Sequence, residues 1–122
     1  MKQSVLLTLT LLLASPILAS ACSADGLIVS YHQTSPGRYI VSIDVTSVDC
    51  SASACSGTVK YSFTYHSAGD PTNVAKDRGM ASFTIGRGNT QGHLSHEHVA
   101  SFGVSDPVID DVAVDEVSCS SP

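Results

Sequence analysis

Alternation of apolar and polar residues is the feature that most constrains how this chain can fold. Residues 39–46 place tyrosine, valine and isoleucine at every second position, and residues 59–66 and 81–85 repeat this pattern. A period of two is typical of β-strands with one buried and one solvated face. Because no stretch after Cys22 has a helical period, we predict an all-β protein.

Two further strands are predicted at the ends of this region. Residues 27–31 carry Leu, Val and Tyr at alternate positions and fit a first strand. Residues 112–117 fit a last strand, but the alternation changes parity between its valines. This change predicts a β-bulge at Asp115 and Glu116.

Turn-forming residues separate the predicted strands. Ser-Pro-Gly-Arg at 35–38 indicates a tight hairpin turn, and Gly-Arg-Gly-Asn at 86–89 begins another. Asp-Pro at 70–71 is interpreted as the start of a longer loop that ends at Gly79. Short strands at this spacing favour a sandwich or a barrel.

The fold class that we predict is a small antiparallel β-sandwich, immunoglobulin-like, with six to seven strands. Another small sandwich or barrel with a different strand order is the alternative. Six strands of alternating direction would bring the start of the first beside the end of the last, where Cys22 and Cys119 lie.

The four cysteines predict two disulfides. We favour Cys50–Cys55, which encloses a short loop of small residues, and Cys22–Cys119, which joins the two ends of the domain. Metal ligation by these cysteines is disfavoured, because the chain contains no Cys-x-x-Cys pair.

Residues 1–21 have the three parts of a secretory signal peptide. Lys2 supplies a positive start, an apolar run covers residues 5–13, and Ala19-Ser20-Ala21 offers small residues for cleavage. The apolar run is about half of the roughly 20 residues that a spanning helix needs. We therefore predict an exported chain, periplasmic or secreted, whose residues 22–122 form a single domain without a transmembrane segment.

A lipid anchor at Cys22 is the alternative, because residues 18–22 loosely resemble a bacterial lipobox. Lipidation would leave three thiols, one of them unpaired, which is unusual in an exported protein. A flexible tether after the cysteine is also missing. Both observations favour the disulfide over the anchor.

Charge narrows the class of partner. The chain has 11 acidic residues against six basic ones, and one of the basic residues is Lys2 in the predicted signal peptide. An acidic domain without a basic patch argues against nucleic acid as a partner. The acidic segment 106–116 is interpreted as a solvated face or as protection of an edge strand.

Three of the five histidines lie in residues 92–99, with the sequence Gly-His-Leu-Ser-His-Glu-His-Val. On a strand, His96 and His98 would share one face, and His93 would lie on the other. Two imidazoles in a His-x-His pair can bind Zn or Cu if a third ligand, such as His66, His32 or His93, is close. The competing interpretation is that these histidines are half-buried sheet residues.

No catalytic motif is present in the sequence, so we expect a protein that is not an enzyme. The function that we predict is that of an exported binding or envelope-accessory module, whose partner is another protein or an envelope component. Its contacts would lie in the loops, with 47–57 and 67–79 as candidates. The alternative is a small metal-binding protein that uses His96 and His98.

Overall fold

The structure is a computed structural model that describes residues 22–50 and 54–120. The predicted signal peptide, residues 1–21, lies outside this part of the chain. The described residues form six antiparallel β-strands, and none of these residues is in a helix that could cross a membrane. The strands are β1 (Cys22–Ser35), β2 (Arg38–Cys50), β3 (Ala54–Ser67), β4 (Asp70–Gly86), β5 (Gly92–Val99) and β6 (Pro107–Ser120).

The strands form two three-stranded sheets with the orders β1-β2-β5 and β4-β3-β6. All neighbouring strands are antiparallel. These orders correspond to strands A-B-E and C′-C-F of an immunoglobulin sandwich. The prediction of an all-β antiparallel sandwich is confirmed.

The core lies between the two sheets because the period-two pattern turns one face of each sheet inward. β2 and β3 are the central strands, and their inward residues are the most completely buried. Tyr31, Tyr39, Phe63 and Phe102 form a chain of ring contacts at one end of the core. The buried cluster comprises Tyr39, Val41, Ile43, Val45, Val48, Val59, Tyr61, Phe63, Ala81, Phe83, Ile85 and Val112.

Both predicted disulfides are confirmed. Cys22 and Cys119 join the start of β1 to the end of β6, with their Cα atoms 5.6 Å apart. Cys50 and Cys55 join β2 to β3, with their Cα atoms 6.0 Å apart. A lipid anchor would need the sulfur of Cys22, which is bonded to Cys119 in the structure. The structure therefore favours the disulfide-bonded form over the lipid-anchored alternative.

A hairpin turn and a β-bulge that the sequence predicts are both present in the structure. Pro36 and Gly37 form the predicted hairpin turn, in which Gly37 has a φ of 77°. The consecutive residues Lys60 and Tyr61 of β3 pair with Glu116 and Val114 of β6. Asp115 lies between these two partners and is therefore the extra residue of a bulge in β6. The bulge predicted at Asp115 and Glu116 is confirmed.

Residues 70–79 do not form the predicted loop. The chain turns at Ala68 and Gly69 and enters β4 at Asp70, which is paired with Ser67 of β3. After a register shift over residues 71–73, β4 is paired with β3 from Val74 to Gly86. Residues 70–76 are exposed because this part of the edge strand extends beyond the core. Without burial it has no apolar alternation, and the sequence pattern therefore did not indicate a strand.

Candidate functional site

The histidine-rich segment is strand β5, and its alternation is as predicted. His96 and His98 point into the sandwich, whereas His93 and Glu97 lie on the solvated face. His98 is buried, with 5% of its surface exposed. His98 is thus more deeply buried than the half-buried sheet residue of the competing interpretation, whereas His96 has intermediate burial.

His98 connects the two sheets through hydrogen bonds at both ring nitrogens. Its Nδ1 lies 2.9 Å from the hydroxyl of Tyr61 on β3, and its Nε2 lies 2.8 Å from Oδ2 of Asp77 on β4. The same carboxylate oxygen accepts a hydrogen bond from the backbone N–H of Ser101 at 3.1 Å. Residues from three strands therefore form one polar network inside an apolar core.

The chemistry of the partners determines the direction of these hydrogen bonds. A carboxylate only accepts, so His98 donates from Nε2 to Asp77. In the neutral imidazole Nδ1 is then an acceptor, and the hydroxyl of Tyr61 donates to it. The hydroxyl of Tyr61, both ring nitrogens of His98 and Oδ2 of Asp77 are all hydrogen-bonded, as expected for polar groups in a core.

The imidazole is also fixed by its ring contacts. It stacks on Phe63 with a centroid distance of 4.6 Å and an interplanar angle of 11°. Gly79 faces Tyr61 across β3 and β4, and its missing side chain leaves the space that the tyrosine ring occupies. A Cβ atom at Gly79 would collide with that ring and would lie 2.7 Å from Nδ1 of His98.

This network resembles a catalytic relay in composition, but its surroundings favour a structural role. Tyr61 is completely buried. Burial, and secondarily the charge of Asp77, raise the pKa of the Tyr61 hydroxyl above its ordinary value. A hydroxyl that is hard to ionise and has no access to solvent is a poor nucleophile. The network holds the two sheets together.

The residues proposed as metal ligands are dispersed among different partners. His93 binds Asp44 on the outer face of β1-β2-β5, with Nδ1 2.6 Å from Oδ1. His66 binds Asp110 on the other sheet, with Nδ1 2.8 Å from Oδ2. Within residues 22–50 and 54–120, no three His, Cys, Asp or Glu residues are grouped so that they could hold a metal ion. Metal binding stays a prediction. His98 could bind a metal only if one of its ring nitrogens lost its hydrogen bond to Tyr61 or Asp77.

His96 is the inward histidine whose ring nitrogens have no hydrogen-bond partner among the described residues. Its ring lies 6.0 Å from that of Tyr61 in an edge-on contact. Burial lowers the pKa of His96, His98 acts in the same direction, and Glu97 opposes them. The neutral imidazole is thus favoured in the folded protein.

An open groove with a volume of about 670 Å³ lies on the outer face of the β4-β3-β6 sheet, and Tyr61 and Gly79 are among its lining residues. Met80, Lys60 and Glu116 form a row across its three strands. Arg78 extends the groove along β4, and the bulged Asp115 extends it along β6. We call these five residues the outer groove.

Sequence analysis missed the outer groove because its residues come from three separate segments. Its one local signal is the change of parity that predicts the bulge at Asp115. Ser62 donates a hydrogen bond to Asp115 at 3.1 Å and holds this carboxylate against the sheet. Asp77 and Gly79 were missed because both lie in residues that were interpreted as a loop.

Comparison with known proteins adds no relative. The sequence matches no protein family model, and neither a characterised protein nor a solved structure is significantly similar to it.

Proposed function

We propose that this protein is an exported, non-enzymatic binding domain that uses the outer groove to hold a segment of another protein in the cell envelope or outside the cell. Two disulfides support export, because such bonds persist in oxidising compartments. The signal-peptide pattern of residues 1–21 points the same way. The alternative of a lipid-anchored location would leave the binding surface unchanged.

The observation that carries the proposal is the exposure of Met80 on the edge strand β4, at one end of a row that continues with the charged residues Lys60 and Glu116. Met80 is apolar, yet 55% of its surface is exposed. Lys60 and Arg78 lie beside it, and Asp115 and Glu116 line the opposite side of the groove. Methionine is flexible and polarisable, and it is used at surfaces that bind varied partners.

The arrangement of charges indicates the kind of segment that fits. An extended polypeptide could place an apolar side chain on Met80 and an acidic group beside Lys60 and Arg78. A basic group on the same segment would face Asp115 and Glu116. Complementary charges of this kind contribute mainly to specificity and to the rate of association.

The buried state of Tyr61, His98 and Asp77 supports a function without catalysis. These residues are the described ones that most resemble a relay, and they lie beneath Gly79 with their hydrogen bonds satisfied by one another. Tyr61 is fully buried and His98 is 5% exposed, so both offer little surface to a substrate. Because these three residues hold the two sheets together, we assign binding to the outer surface of the sheet.

Site-specific photocrosslinking in the producing cells tests the proposal. A photoreactive amino acid at Met80 should give a discrete adduct with one envelope protein. Val74 is the matched control, because it lies on the same strand and is 54% exposed but outside the groove. The charge reversals Lys60→Glu and Arg78→Glu, made together, should abolish the adduct. The same adducts from both positions, or an adduct that survives the reversal, would contradict the proposal.

A further inference from the structure

The four strands at the sheet edges differ in how they are protected against pairing with other strands. Natural edges are blocked by bulges, prolines, lysines or inward-pointing charges. β1 has three register shifts against β2, and β6 has two against β3 and starts at Pro107. β4 carries Pro71, Lys76 and the inward-facing Asp77. Three of the four edges therefore carry protective features.

β5 carries none of these features. Its eight residues pair with β2 without a register shift, and its sequence contains neither lysine nor proline. Because the sheet order is β1-β2-β5, no strand among the described residues is paired by backbone hydrogen bonds with the second edge of β5, although side chains of β4 approach it. A regular edge of this kind is a template for strand addition.

We propose that β5 is a self-association edge, at which a second copy of this chain adds its own β5 in antiparallel orientation. The two three-stranded sheets would join into one six-stranded sheet around a twofold axis at Ser95. Such an interface is isologous, so each contact occurs twice. This inference does not depend on the proposed function of the outer groove.

The charges on β5 favour a second copy over a foreign strand. A twofold axis at Ser95 places His93 of each copy directly opposite Glu97 of the other. In the single chain His93 binds Asp44 at 2.6 Å, and Glu97 binds Arg38 at 2.8 Å. With His93 protonated, so that both ring nitrogens donate to carboxylates, the joined sheet would present an alternating row of acidic and basic groups on its outer face. β5 therefore contains both residues of the complementary pair, His93 and Glu97.

The inward face of β5 agrees with the same register. Leu94 would face His96 of the second copy, and Gly92 would face His98. Moving the axis to Glu97 or to His93 would place identical residues opposite each other. Like charges directly opposite across strands are destabilising.

Sedimentation equilibrium of the oxidised chain 22–122 tests the inference. We expect a monomer–dimer equilibrium for the natural sequence. His93→Glu would oppose Glu97 with glutamate, and Glu97→Lys would oppose His93 with lysine. Each variant alone should associate about tenfold more weakly, since each dimer contains two unfavourable contacts.

Mixing the two variants distinguishes this interface from a folding defect. The mixed dimer would contain one contact between the introduced glutamate and the introduced lysine, and one natural contact between His93 and Glu97. Association should therefore recover in the mixture. A chain that remains monomeric, or variants that dimerise like the natural sequence, would overturn the proposal. Protection of the β5 amides from exchange only in the presence of another protein would assign the edge to a foreign strand, and would also overturn it.

Discussion

Tyr61 and His98 lie on opposite sheets of the sandwich and share a buried hydrogen bond of 2.9 Å. Because Asp77 holds the second ring nitrogen of His98, the bond is part of a bridge from β3 through β5 to β4. A polar bridge inside an apolar core specifies how the two sheets are aligned, provided that all its members are satisfied.

Tyr61→Phe should destabilise the fold by about 1–3 kcal/mol, because it leaves Nδ1 of His98 buried without a donor. Tyr39→Phe is the matched control. Tyr39 belongs to the same buried cluster, but its hydroxyl has no hydrogen-bond partner among the described residues. Urea unfolding would measure both variants. If both variants lost the same free energy of unfolding, the hydrogen bond between Tyr61 and His98 would make no specific contribution to stability.

Gly79→Ala should also destabilise the fold, by about 1–3 kcal/mol, since overpacking a core forces side chains from their positions. The added Cβ would displace the ring of Tyr61 and approach Nδ1 of His98. Gly103→Ala is the control, because a Cβ there would meet no atom within 4 Å. If thermal unfolding shows the same midpoint for both variants, the contact between Gly79 and Tyr61 is not tight.

Much of the fold could be predicted from the sequence because burial imposes a period on a strand. β2 and β3 have their inward residues at alternate positions, and both strands were predicted from that pattern. The pairing of Cys22 with Cys119 was predicted because it joins the two ends of the domain, and the alternating direction of six strands agreed with it. The strands could be predicted from local residue patterns, and the disulfide from the positions of two cysteines near the ends of the domain.

The first strand shows where the pattern misleads. Leu27 and Val29 fit a strand, yet they are 61% and 53% exposed, whereas Ala24, Gly26 and Ile28 face the core. Gly26 is inward because β1 lies close to β6, and a Cβ there would lie 2.8 Å from the side chain of Val117. A close approach between strands from opposite ends of the chain leaves no hydrophobic signal.

The bridge from Tyr61 to Asp77 could not be predicted. His98 lies 37 residues from Tyr61 and 21 residues from Asp77 along the chain. No local spacing links them, because they meet through the packing of two sheets. The sequence indicated only that His98 shares a face with apolar residues.

Replacing both cysteines of each disulfide by serine should separate the contributions of the two bonds. The Cys22–Cys119 bond spans 97 residues, and on the loop-entropy model its loss should cost about 5 kcal/mol. The Cys50–Cys55 bond spans five residues, and its loss should cost about 2 kcal/mol. Guanidinium unfolding of the two double variants would measure the difference. Equal costs, or a larger cost for the short loop, would contradict this ranking.

Zinc and copper titrations test the metal hypothesis directly. A metal at His98 would have to displace Tyr61 or Asp77 from a satisfied network. We therefore expect stoichiometric Zn²⁺ or Cu²⁺ to leave the midpoint of thermal unfolding unchanged relative to a sample with chelator. A rise in the midpoint that disappears in His96→Gln would establish a metal site on β5 that includes His96.

Acid should destabilise the fold through His96. Its folded-state pKa is lowered, chiefly by burial, below the value of 6.5 that applies in the unfolded chain. The unfolded state therefore binds a proton more readily, so the contribution of His96 is complete above pH 6.5 and is lost as the pH falls towards the folded-state value. The free energy of unfolding, measured by urea titration between about pH 7.5 and about pH 5, should decline less steeply in His96→Gln. His32→Gln is the control, because it replaces an exposed histidine on β1 and leaves His96 in place. A slope in His96→Gln as steep as that of the natural sequence would assign the acid sensitivity to other groups.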